Sequence, residues 1–239
     1  LDDLPVYLLQ VFFGTDLGTV AMVGKELHVP VVDDLESVID KCDVIIDFST
    51  KEMAMELLDL AIRHKKGLVC GSTGFSDEEM KRFEDAASSI PMLYAANTSK
   101  LVNVMNKVLE FITKTVGEEL DIEILEMHDQ WKKDAPSGTS KEMGETMAHA
   151  LGKELSDIAV YGREGVSPRE PGTIGYHSLR AGNIPSSHTV FFGGMGERLE
   201  ITHHCYNWEC FARGACDCAA YLANKGPGYY TIKDVLHLS

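Results

Sequence analysis

No apolar run in the 239-residue chain approaches the roughly 20 residues needed to span a bilayer. The first residues lack the basic, apolar and small-residue succession of a secretory signal. Positive charge is scarce: 22 Lys plus Arg stand against 37 Asp plus Glu, a formal charge of −15. That argues against nucleic acid or an anionic membrane as partner, because phosphate contacts take clustered Lys and Arg. An anionic substrate would need a local basic pocket to overcome the global field. No internal repeat or low-complexity segment occurs. At 44% apolar and 25% charged the balance is globular, which excludes disorder and collagen-like structure. The length suits one large domain or two modest ones.

Six cysteines are present, four of them in a C-x4-C-x5-C-x-C cluster at Cys205, Cys210, Cys216 and Cys218, near His203 and His204. This spacing matches no common zinc pattern. Phe211, Ala215, Cys218 and Leu222 fall on one helical face, so small thiols in a cytosolic helix are the preferred reading and no metal site is expected. Nothing in the count forces disulfides.

Short apolar runs alternate with amphipathic ones through the first half. Strands are expected over 6–12, 43–49, 67–72 and 91–97. Helices are expected over 33–42, over 51–66 with Met53, Leu57, Leu60 and Ala61 on one face, and over 76–89 with a Ser76/Glu79 capping box. Such alternation predicts an α/β fold: a Rossmann-like parallel sheet covered by helices. The second half reads as a helix over 101–117, a strand over 121–128 and a helix over 137–153. Strands over 174–182, 188–194 and 197–205 and a helix over 208–224 follow, then the segment 232–238. The last two strands join at Gly193-Gly194-Met195-Gly196. This half is expected to form an α+β substrate and oligomerisation domain. The boundaries are 1–99 with 209–239 for the first domain and 100–208 for the second.

A dinucleotide fold opens on a strand, a G-x-G-x-x-G or G-x-x-G-x-x-G loop and a helix. No such loop precedes the 6–12 run, and the Gly193 cluster lies in a hairpin. The expectation is that the true start lies upstream, with an internal loop missing near Phe12–Gly14. The alternative is a domain that no longer binds a dinucleotide.

The stretch from Glu126 to Thr139 is the richest in chemistry. A strand ends at His128, a polar loop follows, and a helix opens around Pro136 to Thr139. Free N–H groups of Ser137, Gly138 and Thr139 would form an anion site at the positive end of that helix. Gly138 lets a ligand approach the backbone. His128 and Lys132 sit nearby, an arrangement for protonating a nitrogen or carbon next to a bound carboxylate. A capped helix with a solvated loop is the other reading of the same pattern. Two more turns, after the third and fourth strands, lie where open α/β sheets bind ligands: Gly71-Ser72-Thr73-Gly74-Phe75 and Ala95-Ala96-Asn97-Thr98-Ser99. Each is also an ordinary strand-to-helix turn.

Together these motifs resemble the 4-hydroxy-tetrahydrodipicolinate reductase (dihydrodipicolinate reductase) family of the diaminopimelate and lysine pathway. The resemblance runs through Asp47-Phe48-Ser49, the Gly71 and Ala95 turns, 133–140, Gly162-Arg163-Glu164-Gly165, 172–184, His188-Thr189-Val190 and 196–203. It implies a cytoplasmic oxidoreductase that passes hydride from NADH or NADPH to a cyclic imine dicarboxylate. By position, His128 matches the family's proton donor/acceptor and Lys132 its proton donor. Gly138 and Thr139, with Ser137 beside them, match the clamp on a substrate carboxylate. Gly71, Ser72, Thr73, Ala95, Ala96, Asn97 and Thr98 match the nicotinamide-side contacts. The resemblance also implies a homotetramer built through the second sheet, and no metal.

Three positions depart from the pattern. Asp129 stands where the family has a second, substrate-contacting histidine. Trp208 stands where it has a cofactor-holding arginine, and the usual glycine is replaced near Leu101. Reduction of a different imine or keto acid is therefore the alternative activity, and a non-catalytic binding protein on the same fold is the third reading.

Overall fold

The structure is a computed structural model and describes residues 12–238. Of the strand expected over 6–12, residues 6–11 lie outside the described residues and Phe12 sits in a turn. Helix α1 (Leu17–Val20) is a single turn capped by Asp16, whose carboxylate also accepts from the Leu27 and Val29 N–H groups. The helix expected over 33–42 does not form; only a 3-10 turn, Ile39–Lys41, is present. Asp34 accepts from the Glu36 N–H, and the Ser37 hydroxyl donates back to the Asp34 carbonyl. These local bonds close turns in place of a helical ladder. Only Ile39 of that stretch is buried, so no apolar face draws it into a helix.

From β1 (Val44–Asp47) onward the alternation is regular. Helix α2 (Lys51–His64) starts on the Thr50 hydroxyl and stops at Lys65 in the left-handed region. Its buried stripe is Ala54, Leu58 and Ala61, rotated from the expected one, and Met53 stays exposed. Strand β2 (Gly67–Cys70) is buried along its length, as a central parallel strand requires. Helix α3 (Asp77–Ala86) opens on the expected Ser76/Glu79 capping box. Strand β3 (Pro91–Tyr94) and helix α4 (Lys100–Val116) complete this half.

The second half is built on β4 (Asp121–His128), α5 (Gly138–Ala150), the one-turn α6 (Leu155–Ile158) and β5 (Ala159–Tyr161). Then follow β6 (Ile174–Arg180), β7 (Ser187–Gly194), β8 (Glu197–His204), α7 (Glu209–Leu222), β9 (Gly228–Tyr230) and α8 (Ile232–Leu236). The three-residue strands β5 and β9 have no counterpart in the sequence reading.

Among the described residues two sheets form. The described strands of the first are all parallel, in the order β1-β2-β3-β9. Phe83, Leu58 and Ala61 pack on one face of it, and Cys218 and Leu222 of α7 on the other with Val69, Leu93 and Ala95. The second runs β5-β6-β4-β7-β8, with β5, β6 and β4 parallel and β7 and β8 antiparallel. It is thus mixed, with one hairpin, β7–β8, turning through Met195-Gly196. Helices α4 and α5 cover one face through Val102, Met105, Leu109, Met143 and Met147. The other face holds Leu125, Met127, Leu179 and Phe191.

Helix α7 leaves the second sheet and packs on the first, and it passes very close to the turn after β3. A Cβ on Gly214 would lie 1.8 Å from the Thr98 carbonyl oxygen. The Thr98 hydroxyl donates to the Phe211 carbonyl at 2.9 Å, fixing the crossing. Gly214→Ala should therefore cost about 1–3 kcal/mol, as overpacking does. Urea denaturation checks this; an unchanged midpoint would contradict the close approach.

Candidate functional site

Strand β4 turns Ile122, Ile124 and Glu126 toward the helices. Two of these are apolar, and the third is a fully buried carboxylate. Arg180 lies at the end of the neighbouring β6, whose parallel register sets it opposite His128. Its guanidinium forks onto Glu126, Nη1 to Oε2 at 2.7 Å and Nη2 to Oε1 at 2.8 Å. The Glu126 Oε2 atom also meets His128 Nδ1 at 2.6 Å, and Oε1 accepts from the Ser137 N–H at 3.3 Å. Burial alone would raise the Glu126 pKa, but the bonds from His128 and Arg180 outweigh it and hold the carboxyl well below its ordinary range. Arg180 is pushed up by the same bonds.

Helix α5 begins here. Ser137 is its N-cap, accepting from the Ser140 N–H, and its hydroxyl lies 2.8 Å from His188 Nε2. Ser137 is thus a buried support: its N–H and its hydroxyl are both engaged. Gly138 and Thr139 occupy the first turn, where N–H groups have no partner within the helix. Gly138 is exposed, and a Cβ there would meet nothing within 4 Å, so a ligand has open access to the backbone. His188, on β7, stands edge-on to His128 with ring centroids 5.3 Å apart. Burial, then the His128 charge, push His188 down to about 3, so it is neutral at physiological pH.

Between β4 and α5, Asp129 turns its carboxylate onto the Trp131 N–H at 2.8 Å. Lys132 Nζ pairs with Asp134 Oδ1 at 2.7 Å, with both side chains part-exposed. Arg180 Nη2 reaches the Asp134 carbonyl at 2.6 Å and ties down the end of this loop.

The turns after β2 and β3 supply the second set. Asn97 Nδ2 donates to Thr139 Oγ1 at 3.1 Å and so joins the Ala95 turn to the start of α5. Ser72 donates to the buried Asp47 at 2.7 Å, and the Thr98 hydroxyl is engaged with Phe211. Ala95 belongs to the core, while Thr73, Gly74 and Ala96 are exposed. A Cβ on Gly71 would meet the Phe48 ring at 2.5 Å. The strand ends therefore present small groups, which fits the flat ring of a nicotinamide. Of the expected residues, the structure links Asn97 to Thr139, and His128 to Ser137 through Glu126. It turns the hydroxyls of Ser72 and Thr98 inward. Glu126, Arg180, His188 and Asp47 carry no expected role from the sequence, though the buried parity of Glu126 on β4 was a usable signal.

Among the described residues, no three His, Cys, Asp or Glu side chains converge as a metal set. Cys218 is a core residue; Cys205 and Cys210 lie with sulfurs 3.4 Å apart, and burial, then Cys210, push the Cys205 thiol up to about 11. No described helix is long and apolar enough to cross a membrane.

Removing Arg180 would strand a buried charge. Arg180→Ala should cost about 3–5 kcal/mol at neutral pH. Because the folded carboxyl titrates below its reference value of 4.5, the pair's stabilisation is full above that pH. It is lost as pH falls from 4.5 through the lower folded value. The stability gap between the two proteins should narrow over that acid range, as denaturant titrations at several pH values will show. A gap independent of pH would contradict the pairing.

The family model described as "Dihydrodipicolinate reductase, N-terminus" matches residues 9–98, and that described as "Dihydrodipicolinate reductase, C-terminus" matches residues 101–236. A 4-hydroxy-tetrahydrodipicolinate reductase of Hahella chejuensis is 45% identical over 94% of this chain and 84% of its own length. That of Geobacter metallireducens is 44% identical over 94% of this chain and 85% of its own. Among solved structures, a dipicolinate-bound dihydrodipicolinate reductase from Paenisporosarcina superposes with a TM-score of 0.67 at 23% identity, over 87% of this chain and 79% of that one. An amine dehydrogenase of Mycobacterium smegmatis shares the fold at a TM-score of 0.57 and 12% identity, over 93% of this chain and 85% of that one. With relatives this similar over nearly all of its length and both family models matched in order, the chain belongs to the dihydrodipicolinate reductase family.

Proposed function

We propose that this chain reduces 4-hydroxy-tetrahydrodipicolinate to tetrahydrodipicolinate with NADH or NADPH, a step of diaminopimelate and lysine biosynthesis. The observation that carries the reading is 45% identity to a reductase of that name over 94% of the chain. The site supports it by setting an imidazole, an ammonium and an open helix N-terminus around one loop.

The net change adds one hydride and one proton to the substrate and releases water. The nicotinamide, when bound, supplies the hydride. The Gly138 and Thr139 N–H groups clamp one substrate carboxylate, where the helix dipole adds to two hydrogen bonds. Loss of the ring hydroxyl with a neighbouring ring hydrogen, as water, conjugates a C=C bond to the imine. Lys132 gives charge to the dicarboxylate and a proton to the ring nitrogen. The conjugated iminium takes hydride at the carbon that carried the hydroxyl, after which the nitrogen proton moves to ring carbon and the imine is restored. His128 donates and recovers a proton beside it. The turns at Gly71, Ser72 and Thr73 and at Ala95, Ala96, Asn97 and Thr98 flank the nicotinamide through their backbone and the exposed side chains of Thr73 and Ala96. Residues 1–99 with 209–239 hold the dinucleotide, and 100–208 hold the substrate.

The reading carries a cytoplasmic homotetramer with it. Its support is the sheet face opposite α4 and α5, where Leu179 is 39% exposed beside Met127. Equilibrium ultracentrifugation reads the assembly; a monomer at micromolar concentration would contradict it.

A coupled assay tests the activity. 4-Hydroxy-tetrahydrodipicolinate is made in situ and NADH or NADPH oxidation is followed at 340 nm. Turnover with either cofactor is expected, and Lys132→Ala should lower kcat by about 100-fold or more, the usual yield of acid–base catalysis. Nucleotide binding without turnover would favour a different imine or keto acid. Unchanged kcat in the variant would remove Lys132 from its role.

A further inference from the structure

Glu126 makes more bonds than a structural ion pair needs. Its two oxygens accept from three elements: β4 itself through His128, the neighbouring β6 through Arg180, and the start of α5 through Ser137. We propose that Glu126, clamped by Arg180, is the positioning residue of the reaction: one oxygen sets the tautomer of His128 and the other places the anion-binding start of α5. The inference rests on the role of His128 given above.

The tautomer follows from hydrogen-bond chemistry. An ionised carboxylate only accepts, so the bond at 2.6 Å puts the proton on His128 Nδ1. In the neutral ring that leaves Nε2 as the nitrogen with a lone pair, and Nε2 is then the atom that takes up and gives back a proton. Arg180 fixes the carboxylate plane through two parallel bonds, a geometry that a single ammonium would not impose.

The placement of the helix follows from the other oxygen. Ser137 is the N-cap, so the path of its backbone fixes where the Gly138 and Thr139 N–H groups point. Glu126 holds that residue by its N–H, and His188 holds it by its hydroxyl. Arg180 adds the Asp134 carbonyl, at the end of the loop that carries Lys132. A single buried pair therefore joins the proton site to the carboxylate clamp. Stability alone does not call for such a pair, because a buried ion pair is often no better than apolar residues of the same volume.

The test uses the full chain. Histidines are labelled with 15N, and the His128 signal is assigned by its loss in His128→Asn. At a pH where the ring is neutral, the Nδ1–H tautomer is expected; a dominant Nε2–H tautomer overturns the proposal. In Glu126→Gln the amide NH2 can donate to Nδ1, so the tautomer should shift to Nε2–H. In that variant kcat should fall by about 100-fold, the cost of a misplaced reacting group, while KM for the nucleotide stays within about twofold. A folded Glu126→Gln protein with the original tautomer or the original kcat also overturns the proposal. If the variant does not fold, the tautomer in the unaltered protein decides. Failure of the functional reading shows separately: no turnover by the unaltered protein, with its tautomer still at Nδ1–H and shifted in Glu126→Gln, leaves the positioning of His128 standing.

Discussion

A carboxylate with no solvent exposure, on the same face of β4 as the core residues Ile122 and Ile124, is the constraint around which the second half of this protein is built. Taking such a charge out of water costs several kcal/mol even after relaxation. Glu126 is tolerated because Arg180, His128 and the Ser137 N–H together replace its hydration shell. Each partner imposes a structural demand. Arg180 requires the parallel register that sets it opposite His128. Ser137 requires the 129–136 loop to return to the end of β4, so that α5 starts where the strand stops. The charge thus dictates the meeting of strand end, loop and helix start, and that meeting is the site.

The same economy couples the two sheets. Asn97 follows the last of the α/β strands before α4, yet it donates to Thr139 in the first turn of α5. Thr98, the next residue, takes the crossing of α7 at a distance that only glycine at 214 allows. Asn97 therefore ties the parallel sheet to the start of α5, while Thr98 ties α7 to the parallel sheet it packs on. The turn that would flank the nicotinamide is hydrogen-bonded to the helix that would clamp the substrate.

Much of this was legible in the sequence, and the exceptions have physical causes. Buried parallel strands announce themselves as short apolar runs, and 43–49, 67–72 and 91–97 each contain one. The capping box at Ser76 and the long amphipathic 101–117 stretch were equally plain. The helix over 33–42 failed because Asp34 and Ser37 bond their own backbone and only Ile39 is buried. The α2 stripe was displaced because Met53, apolar by type, is left outside while Ala54 goes in. Strands β5 and β9 are too short for any period to show. At the site, His128, Lys132 and the opening of α5 could be read because polar residues cluster after a strand. The hydroxyls of Ser72, Thr98 and Ser137 look the same in sequence whether they face a ligand or the interior, and here they are engaged inside. Glu126 was missed although the alternation Ile122, Ile124, Glu126 placed a charge on the buried face, which is a sign of a bound partner elsewhere in the chain. That partner, Arg180, is 54 residues away and only the register of β4 with β6 identifies it.

The most direct test of this account is the titration of the Glu126 carboxyl itself. With 13C-labelled glutamate, its carboxyl shift is followed from neutral pH to acid unfolding, and the signal is assigned by its loss in Glu126→Gln. The account predicts a carboxyl that stays ionised well below 4.5, its reference value, and gains its proton only as the protein unfolds. A midpoint at or above 4.5 in the folded protein would contradict it, because a carboxyl neutral there is not the charge that Arg180, His128 and the start of α5 are gathered around.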